Sequence, residues 1–155
     1  MVLALLLLAQ LICAILACVP TQIITTTAPC CPMLSTTSLP KRPPSSSTWE
    51  QCSILRRVSS TCPIDGIVVC DAAFDTNPSQ IQIELFDANG NVVRTATANG
   101  NPATSVSLSV VCTNGKWYVP SSTGSANDVG PIATVSCSQS GSVGADRGYV
   151  IGSAI

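Results

Sequence analysis

Residues 105–119 read SVSLSVVCTNGKWYV, and this stretch decides the fold class of the chain. In its first half valine or leucine recurs at every second position, which is the period of a half-buried β-strand. Asn114-Gly115 is the preferred pair for a two-residue turn with positive backbone angles. The sequence therefore predicts a hairpin whose strands end at Cys112 and begin at Lys116.

The same pattern extends toward the amino terminus. Residues 67–70, IVVC, predict a buried strand, and residues 80–86, QIQIELF, alternate so that one face packs while Gln82 and Glu84 meet water. The turn sequences DANG and NGNP separate three consecutive strands, for which we predict a meander. No window shows helical periodicity. The predicted fold class is all-β, a small disulfide-stabilised sandwich or open barrel that follows a disordered Thr/Ser/Pro-rich leader.

The aromatic residues allow two interpretations. Trp117 can face the sheet interior, cover a disulfide and supply buried area to a core with few large side chains. Alternatively, Trp117, Tyr118 and Tyr149 form an exposed patch that binds a ligand. We favour packing for Trp117.

Composition narrows the classes of function. A net charge of -1 with seven Lys and Arg leaves no basic surface for a polyanion, so we expect no nucleic-acid binding. The chain contains no histidine, which removes the Ser-His-Asp and Cys-His arrangements of nucleophilic catalysis. Without histidine or a C-x-x-C pair, zinc binding is also disfavoured. We predict that the protein is not an enzyme and uses neither a cofactor nor a metal.

Paired carboxylates are the remaining route to catalysis, as in enzymes that act on glycans. Most of the acidic residues stand at turn signals, where aspartate stabilises the local backbone, so a carboxylate-based enzyme is the third interpretation. The acidic residues considered for such catalysis are Asp65, Asp71, Asp75, Glu84, Asp87, Asp128 and Asp146.

The amino-terminal half of the sequence predicts secretion. The first seventeen residues are uncharged and rich in leucine, as in the apolar region of a signal peptide. A membrane anchor is the alternative, but the run is short for a span of about 20 residues, and we expect no stable span after cleavage. We assign 1–18 to a signal peptide, 19–49 to a Thr/Ser/Pro-rich linker that contains Cys30 and Cys31, and 50–155 to a cysteine-rich β domain.

The number of cysteines connects the linker to the domain. Five of the nine lie after residue 50, so complete oxidation within one chain requires at least one bond back to the leader. A bond between the neighbours Cys30 and Cys31 would be strained. The alternative is an odd thiol that joins two chains. The disulfide candidates are Cys18, Cys30, Cys31, Cys52, Cys62, Cys70, Cys112 and Cys137.

Four segments, WEQCSILRR, TCPIDGIVVCD, VSLSVVCTNGKW and GPIATVSC, resemble the nematode six-cysteine extracellular domain, a domain of unknown function. The resemblance covers about residues 50–138, and the preceding CVPTQIITTTAPCCP is similar to leaders that accompany such domains. Five rather than six cysteines lie within that span. The resemblance implies a secreted, disulfide-bonded domain and supplies no catalytic residue, ligand or cofactor.

These observations predict a secreted, non-enzymatic extracellular protein. We favour an adhesion or binding module whose partner is an unknown extracellular protein or glycan. The alternative is a structural component of the extracellular matrix or surface without a discrete ligand.

Overall fold

The computed structural model describes residues 30–121 and 129–142, and this part of the chain contains seven strands and no helix. The strands are β1 (Ile54–Ser59), β2 (Asp65–Asp71), β3 (Gln80–Phe86), β4 (Val92–Asn99), β5 (Ser105–Thr113), β6 (Lys116–Tyr118) and β7 (Thr134–Ser140). They form two antiparallel sheets, in the orders β1-β2-β5-β6 and β4-β3-β7. The predicted all-β, disulfide-stabilised fold class is confirmed.

The hydrophobic core lies between the two sheets and takes alternate residues from their strands. Ile81 and Ile83 of β3 and Val68 of β2 are fully buried in it. A disulfide between Cys70 of β2 and Cys137 of β7 joins one sheet to the other through this core, and both cysteines are inaccessible to solvent. The apolar period of two therefore identified the core-facing side of β3 and β5 correctly. The prediction that residues 67–70 form a buried strand is wrong at Ile67, which is 44% exposed because alternate residues of β2 face outward.

The predicted hairpin at Asn114-Gly115 is confirmed. The two residues have φ angles of 51° and 75°, and Thr113 at the end of β5 pairs with Lys116 at the start of β6. Such angles suit a two-residue turn, because its twist matches that of the flanking strands. The hairpin directs Trp117 into the core, where it is 3% exposed.

The predicted meander is wrong at its second connection. β3 pairs with β4 as expected, but β5 lies in the other sheet, between β2 and β6. Both sides of β3 are occupied by β4 and β7, and residues 100–104 carry the chain across to the second sheet. Alternation of apolar residues indicates which face of a strand is buried, but it does not indicate which strand lies beside it.

Residues 30–49 are packed against the domain, so the expectation of a disordered leader does not hold for them. Leu34 and Leu39 are buried in the core. The backbone N–H of Arg42 donates to Val135 O at 2.8 Å, and that of Val135 donates to Pro40 O at 3.0 Å. The composition of the leader supplies too few apolar residues for a core of its own. The β domain provides the apolar surface and the open edge of β7 that order it.

This leader also covers the face of β3 that was predicted to meet water. Gln82 and Glu84 are 8% and 3% exposed. The backbone N–H of Ser45 donates to Glu84 Oε2 at 2.8 Å, and the Ser45 hydroxyl donates to the other carboxylate oxygen. The Arg42 guanidinium lies 4.1 Å from the centre of the Phe86 ring. The prediction of a solvated face is therefore wrong, because a segment distant in sequence lies over it.

Gln139 of β7 connects three parts of the fold, and no pattern in the sequence indicated this role. It is fully buried, and its Oε1 accepts hydrogen bonds from Ser53 Oγ at 3.1 Å and from the backbone N–H of Ala73 at 2.8 Å. Its Nε2 donates to Thr76 Oγ1 at 3.0 Å and to Ser142 Oγ at 2.7 Å. All the polar atoms of the side chain are thus satisfied, as burial requires.

Candidate functional site: an apolar patch at the end of a hairpin

The leader is bonded to the β domain twice. Cys30 pairs with Cys62, and Cys31 pairs with Cys112, with Cα atoms 5.0 Å and 5.7 Å apart. The bond between leader and domain that the odd number of domain cysteines required is therefore present, and the neighbouring Cys30 and Cys31 have separate partners.

Two of the disulfide candidates are not in these bonds. Cys52 belongs to none of the three disulfides. Burial lowers the pKa of the nearby Lys41, and the electrostatic interaction with Cys52 raises it. Cys18 lies outside the described residues.

Trp117 does not belong to an exposed aromatic patch. Its Nε1 donates to Pro32 O at 3.1 Å, which fixes the ring against the leader. A Cβ atom placed on Gly66 of β2 would lie 3.3 Å from Trp117 Cη2 and 2.6 Å from Leu34 Cδ1, so the missing side chain of this glycine makes room for both residues. The packing interpretation of Trp117 is confirmed.

Tyr118 and Tyr149 are the other two members of the predicted aromatic patch. Tyr118 is half-buried beside Gly130, where a Cβ atom would lie 3.0 Å from the tyrosine Cδ1. Tyr149 lies outside the described residues. Nothing in the described part of the chain therefore brings these three aromatic side chains together on the surface.

A different group of apolar side chains is exposed where the β1–β2 hairpin meets the leader. We call it the hairpin-end patch, and it consists of Met33, Val58, Ile64 and Ile67, which are 54%, 51%, 77% and 44% exposed. Val58 and Ile67 are direct partners across β1 and β2. Cross-strand partners have Cβ atoms about 4.5–5.5 Å apart, so these two side chains form a continuous apolar surface.

The disulfides and two hydrogen bonds hold the hairpin-end patch in place. Ile64 follows Cys62, whose bond to Cys30 fixes the hairpin connection to the leader. The backbone N–H of Cys31 donates to Pro63 O at 3.4 Å, and that of Leu34 donates to Ser59 Oγ at 2.9 Å. Met33 stands between these two attachment points. A surface supported in this way is ordered before a partner arrives, which lowers the entropy cost of binding.

Polar groups border the patch along the outer face of the same sheet. Ile67 lies opposite Ser109 of β5, and the next outward residue of that strand, Ser107, is also exposed. Further along β1, Arg56 Nη2 donates to Asp71 Oδ1 at 3.1 Å, so these two charges compensate each other. An apolar centre with a polar rim is the usual anatomy of a protein–protein interface.

Three of the candidate carboxylates have structural partners. Asp71 is paired with Arg56, and Glu84 accepts two hydrogen bonds from Ser45. Asp87 Oδ1 accepts from the backbone N–H groups of Asn89 at 2.9 Å and Asn91 at 2.8 Å, which closes the β3–β4 turn. Only the contacts of Asp87 are those of the turn that the sequence predicted, whereas Asp71 and Glu84 lie in strands and have Arg56 and Ser45 as their partners.

The described residues offer no arrangement for a bound metal, since no three acidic or cysteine side chains among them are grouped as ligands. The remaining acidic candidates include Asp65 and Asp75, which the structure describes, and Asp128 and Asp146, which lie outside the described residues. The described part of the chain also has no helix of the length and apolarity that crossing a membrane needs.

Comparison of the chain with family models, curated proteins and solved structures gives no match. The resemblance to the nematode six-cysteine extracellular domain stays a prediction. Among the described residues, the hairpin-end patch is the surface that most favours a binding function.

Proposed function

We propose that this chain is a secreted, non-catalytic binding module that recognises a partner protein through the hairpin-end patch. The observation that carries the proposal is the exposure of Met33, Val58, Ile64 and Ile67 at one disulfide-supported end of the molecule. Single exposed apolar residues are ordinary, whereas grouped ones mark interaction sites. Within residues 30–121 and 129–142, the other large exposed apolar side chains are Phe74, Val92 and Val129, which lie on three separate segments.

Two further observations support this function. Three disulfides among the described residues indicate an oxidising environment, which agrees with secretion. The structural partners of Asp71, Glu84 and Asp87 support a role without carboxylate catalysis.

A protein is the partner that the patch fits best. Its four side chains are apolar, and burying such groups against other apolar surface is favourable by roughly 25 cal/mol per Å². The hydroxyl groups of Ser107 and Ser109 beside it can form the hydrogen bonds of an interface rim.

The test is capture of extracellular proteins on the immobilised, oxidised chain, followed by cross-linking and mass spectrometry. We expect Ile67→Glu to weaken retention of a specific protein at least about tenfold, as for a central interface residue. Val92→Glu is the matched control, because Val92 is 41% exposed and lies on β4 of the other sheet. Thermal unfolding and disulfide mapping of each variant establish that it is folded.

Equal retention of the same proteins by the wild type, Ile67→Glu and Val92→Glu would contradict the proposed site. Absence of any specifically retained protein would favour a structural extracellular component instead.

A further inference from the structure

Among the three disulfides of the described residues, the bond between Cys30 and Cys62 is the one in which both cysteines are exposed. Cys31 in the second bond is 3% exposed, and both cysteines of the bond that crosses the core are inaccessible to solvent. A thiolate breaks a disulfide by attacking one of its sulfur atoms, so the rate depends on access to the bond. An external thiol therefore reaches the Cys30–Cys62 bond more readily than the other two.

The backbone of Cys62 provides a second reason for this bond to open first. Its φ angle is 53°, in the left-handed region that residues with a side chain seldom adopt. Such a conformation costs free energy and persists only where the surrounding structure holds it. The bond to Cys30 is one of the constraints on residues 60–62, so its reduction allows this backbone to relax. The cysteines of the core bond lie in the regular strands β2 and β7 and have no such reason to open.

The leader stays attached to the domain when the exposed bond opens, because the next residue along the chain has a bond of its own. Cys31 is joined to Cys112. Trp117 Nε1 donates to Pro32 O at 3.1 Å, and Leu34 is buried in the core. These contacts hold the beginning of the described leader without help from the exposed bond.

The connection between β1 and β2 also keeps its position without this bond. Pro63, which follows Cys62, is fully buried, and the backbone N–H of Cys112 donates to Ile64 O at 2.8 Å. The backbone N–H of Cys31 donates to Pro63 O at 3.4 Å, so the residues next to the two bonded cysteines contact each other. The two thiols of the reduced form consequently stay close together. Groups held in this way have a high effective concentration, which favours closure of the bond again.

We propose that the Cys30–Cys62 disulfide is a reversible site of exchange with external thiols, which opens and closes while the domain stays folded. The thiolate of an external thiol attacks one sulfur atom, forms a mixed disulfide with that cysteine and releases the other cysteine as a thiolate. A second external thiolate attacks the mixed disulfide and releases the first cysteine. Two thiols of the reductant are thereby oxidised to one disulfide, and the two cysteine thiolates take protons from the solvent.

The test is equilibration of the oxidised chain with mixtures of reduced and oxidised glutathione, followed by acid quenching, alkylation of thiols and peptide mass spectrometry. Alkylation before glutathione is added provides the baseline for every cysteine, including Cys52. We expect Cys30 and Cys62 to become alkylated together, with an equilibrium constant for reduction at least about tenfold larger than that of either other bond. Intermediate mixtures should yield peptides that carry glutathione on one of these two cysteines, and return to oxidised glutathione should restore the bond.

Tryptophan fluorescence and near-ultraviolet circular dichroism report on the fold during the same titration. Both signals should stay as in the oxidised chain at the ratios that open the exposed bond, because Trp117 keeps its contacts with the leader. The double variant Cys30→Ser with Cys62→Ser is the control, in which the two remaining bonds should keep their wild-type reduction equilibria. The wild-type measurement is decisive even if this variant does not fold.

Two results would overturn the proposal. One is reduction of all three bonds in a single step, or an equilibrium constant for the Cys30–Cys62 bond no larger than those of the other two. The other is opening of the Cys30–Cys62 bond only after the tryptophan signal of the folded domain has been lost. The readout is the oxidation state of two cysteines, so neither result depends on whether the hairpin-end patch has a partner.

Discussion

The disulfide between Cys70 and Cys137 should contribute more to stability than any exposed disulfide of this chain. It joins the two sheets, both cysteines are fully buried, and 67 residues separate them in sequence. The double substitution Cys70→Ala with Cys137→Ala removes the cross-link and leaves two small voids. The bond between Cys30 and Cys62 provides the comparison, because both of its cysteines are exposed.

The expected magnitudes follow from the lengths of the closed loops. For the sequence separation of 67 the loop-entropy model gives about 4.4 kcal/mol, and for the separation of 32 between Cys30 and Cys62 it gives about 3.7 kcal/mol. Each methyl-sized void in the core adds about 1 kcal/mol, so the buried pair should cost about 6 kcal/mol in total. Because a domain of this size is stable by only about 5–15 kcal/mol, that loss brings it close to unfolding.

Urea unfolding of the two double variants, followed by circular dichroism and tryptophan fluorescence, measures the difference. We expect the buried pair to lower the free energy of unfolding by roughly 2.7 kcal/mol more than the exposed pair, because its closed loop is longer and because only the buried pair leaves voids. Full reduction of the wild type should abolish the cooperative thermal transition. Equal losses in the two variants, or a cooperative transition in the fully reduced protein, would refute this account.

Two further predictions concern single polar side chains. Gln139→Glu should destabilise the domain by about 3 kcal/mol at neutral pH, because the buried carboxylate loses two donated hydrogen bonds. Because burial raises the pKa of the introduced carboxyl above its usual value of about 4.3, the loss should shrink as pH falls from that raised pKa toward about 4.3. Equal losses in urea unfolding at pH 3.5 and pH 7 would contradict this prediction. Hydrogen bonds from Asn91, first through its side chain and then its backbone, lower the pKa of Asp87. The stabilisation by the Asp87 carboxylate is therefore complete above the unfolded pKa of about 3.9 and is lost as pH falls through the folded pKa. Asp87→Asn should be less stable than wild type at pH 7, and the difference should shrink as pH falls from about 4 toward 2; a difference that stays constant over this range would exclude this mechanism.

Local sequence was sufficient for several features of this fold. The Asn114-Gly115 turn depends on backbone angles that few residues adopt, and both have positive φ in the structure. The period of two identified the buried face of β3, since Ile81 and Ile83 are fully inaccessible. Cysteine parity predicted a bond between leader and domain, because five cysteines after residue 50 cannot all pair with one another. Each of these inferences involves either neighbouring residues or a count, so no knowledge of the tertiary arrangement was needed.

The tertiary structure alone decided which segments meet. It assigned β5 to the sheet opposite β4, gave Cys30 and Cys31 separate partners, and placed the leader over Glu84. It also gathered the hairpin-end patch from the leader and two strands. The physical reason is that the alternation within a strand indicates which side chains are buried. The surface that covers those side chains is formed by residues far away in sequence. The free energy that favours one arrangement of strands over another is a sum over contacts between residues far apart in sequence. A short stretch of the chain contains none of these contacts, so it cannot indicate the arrangement.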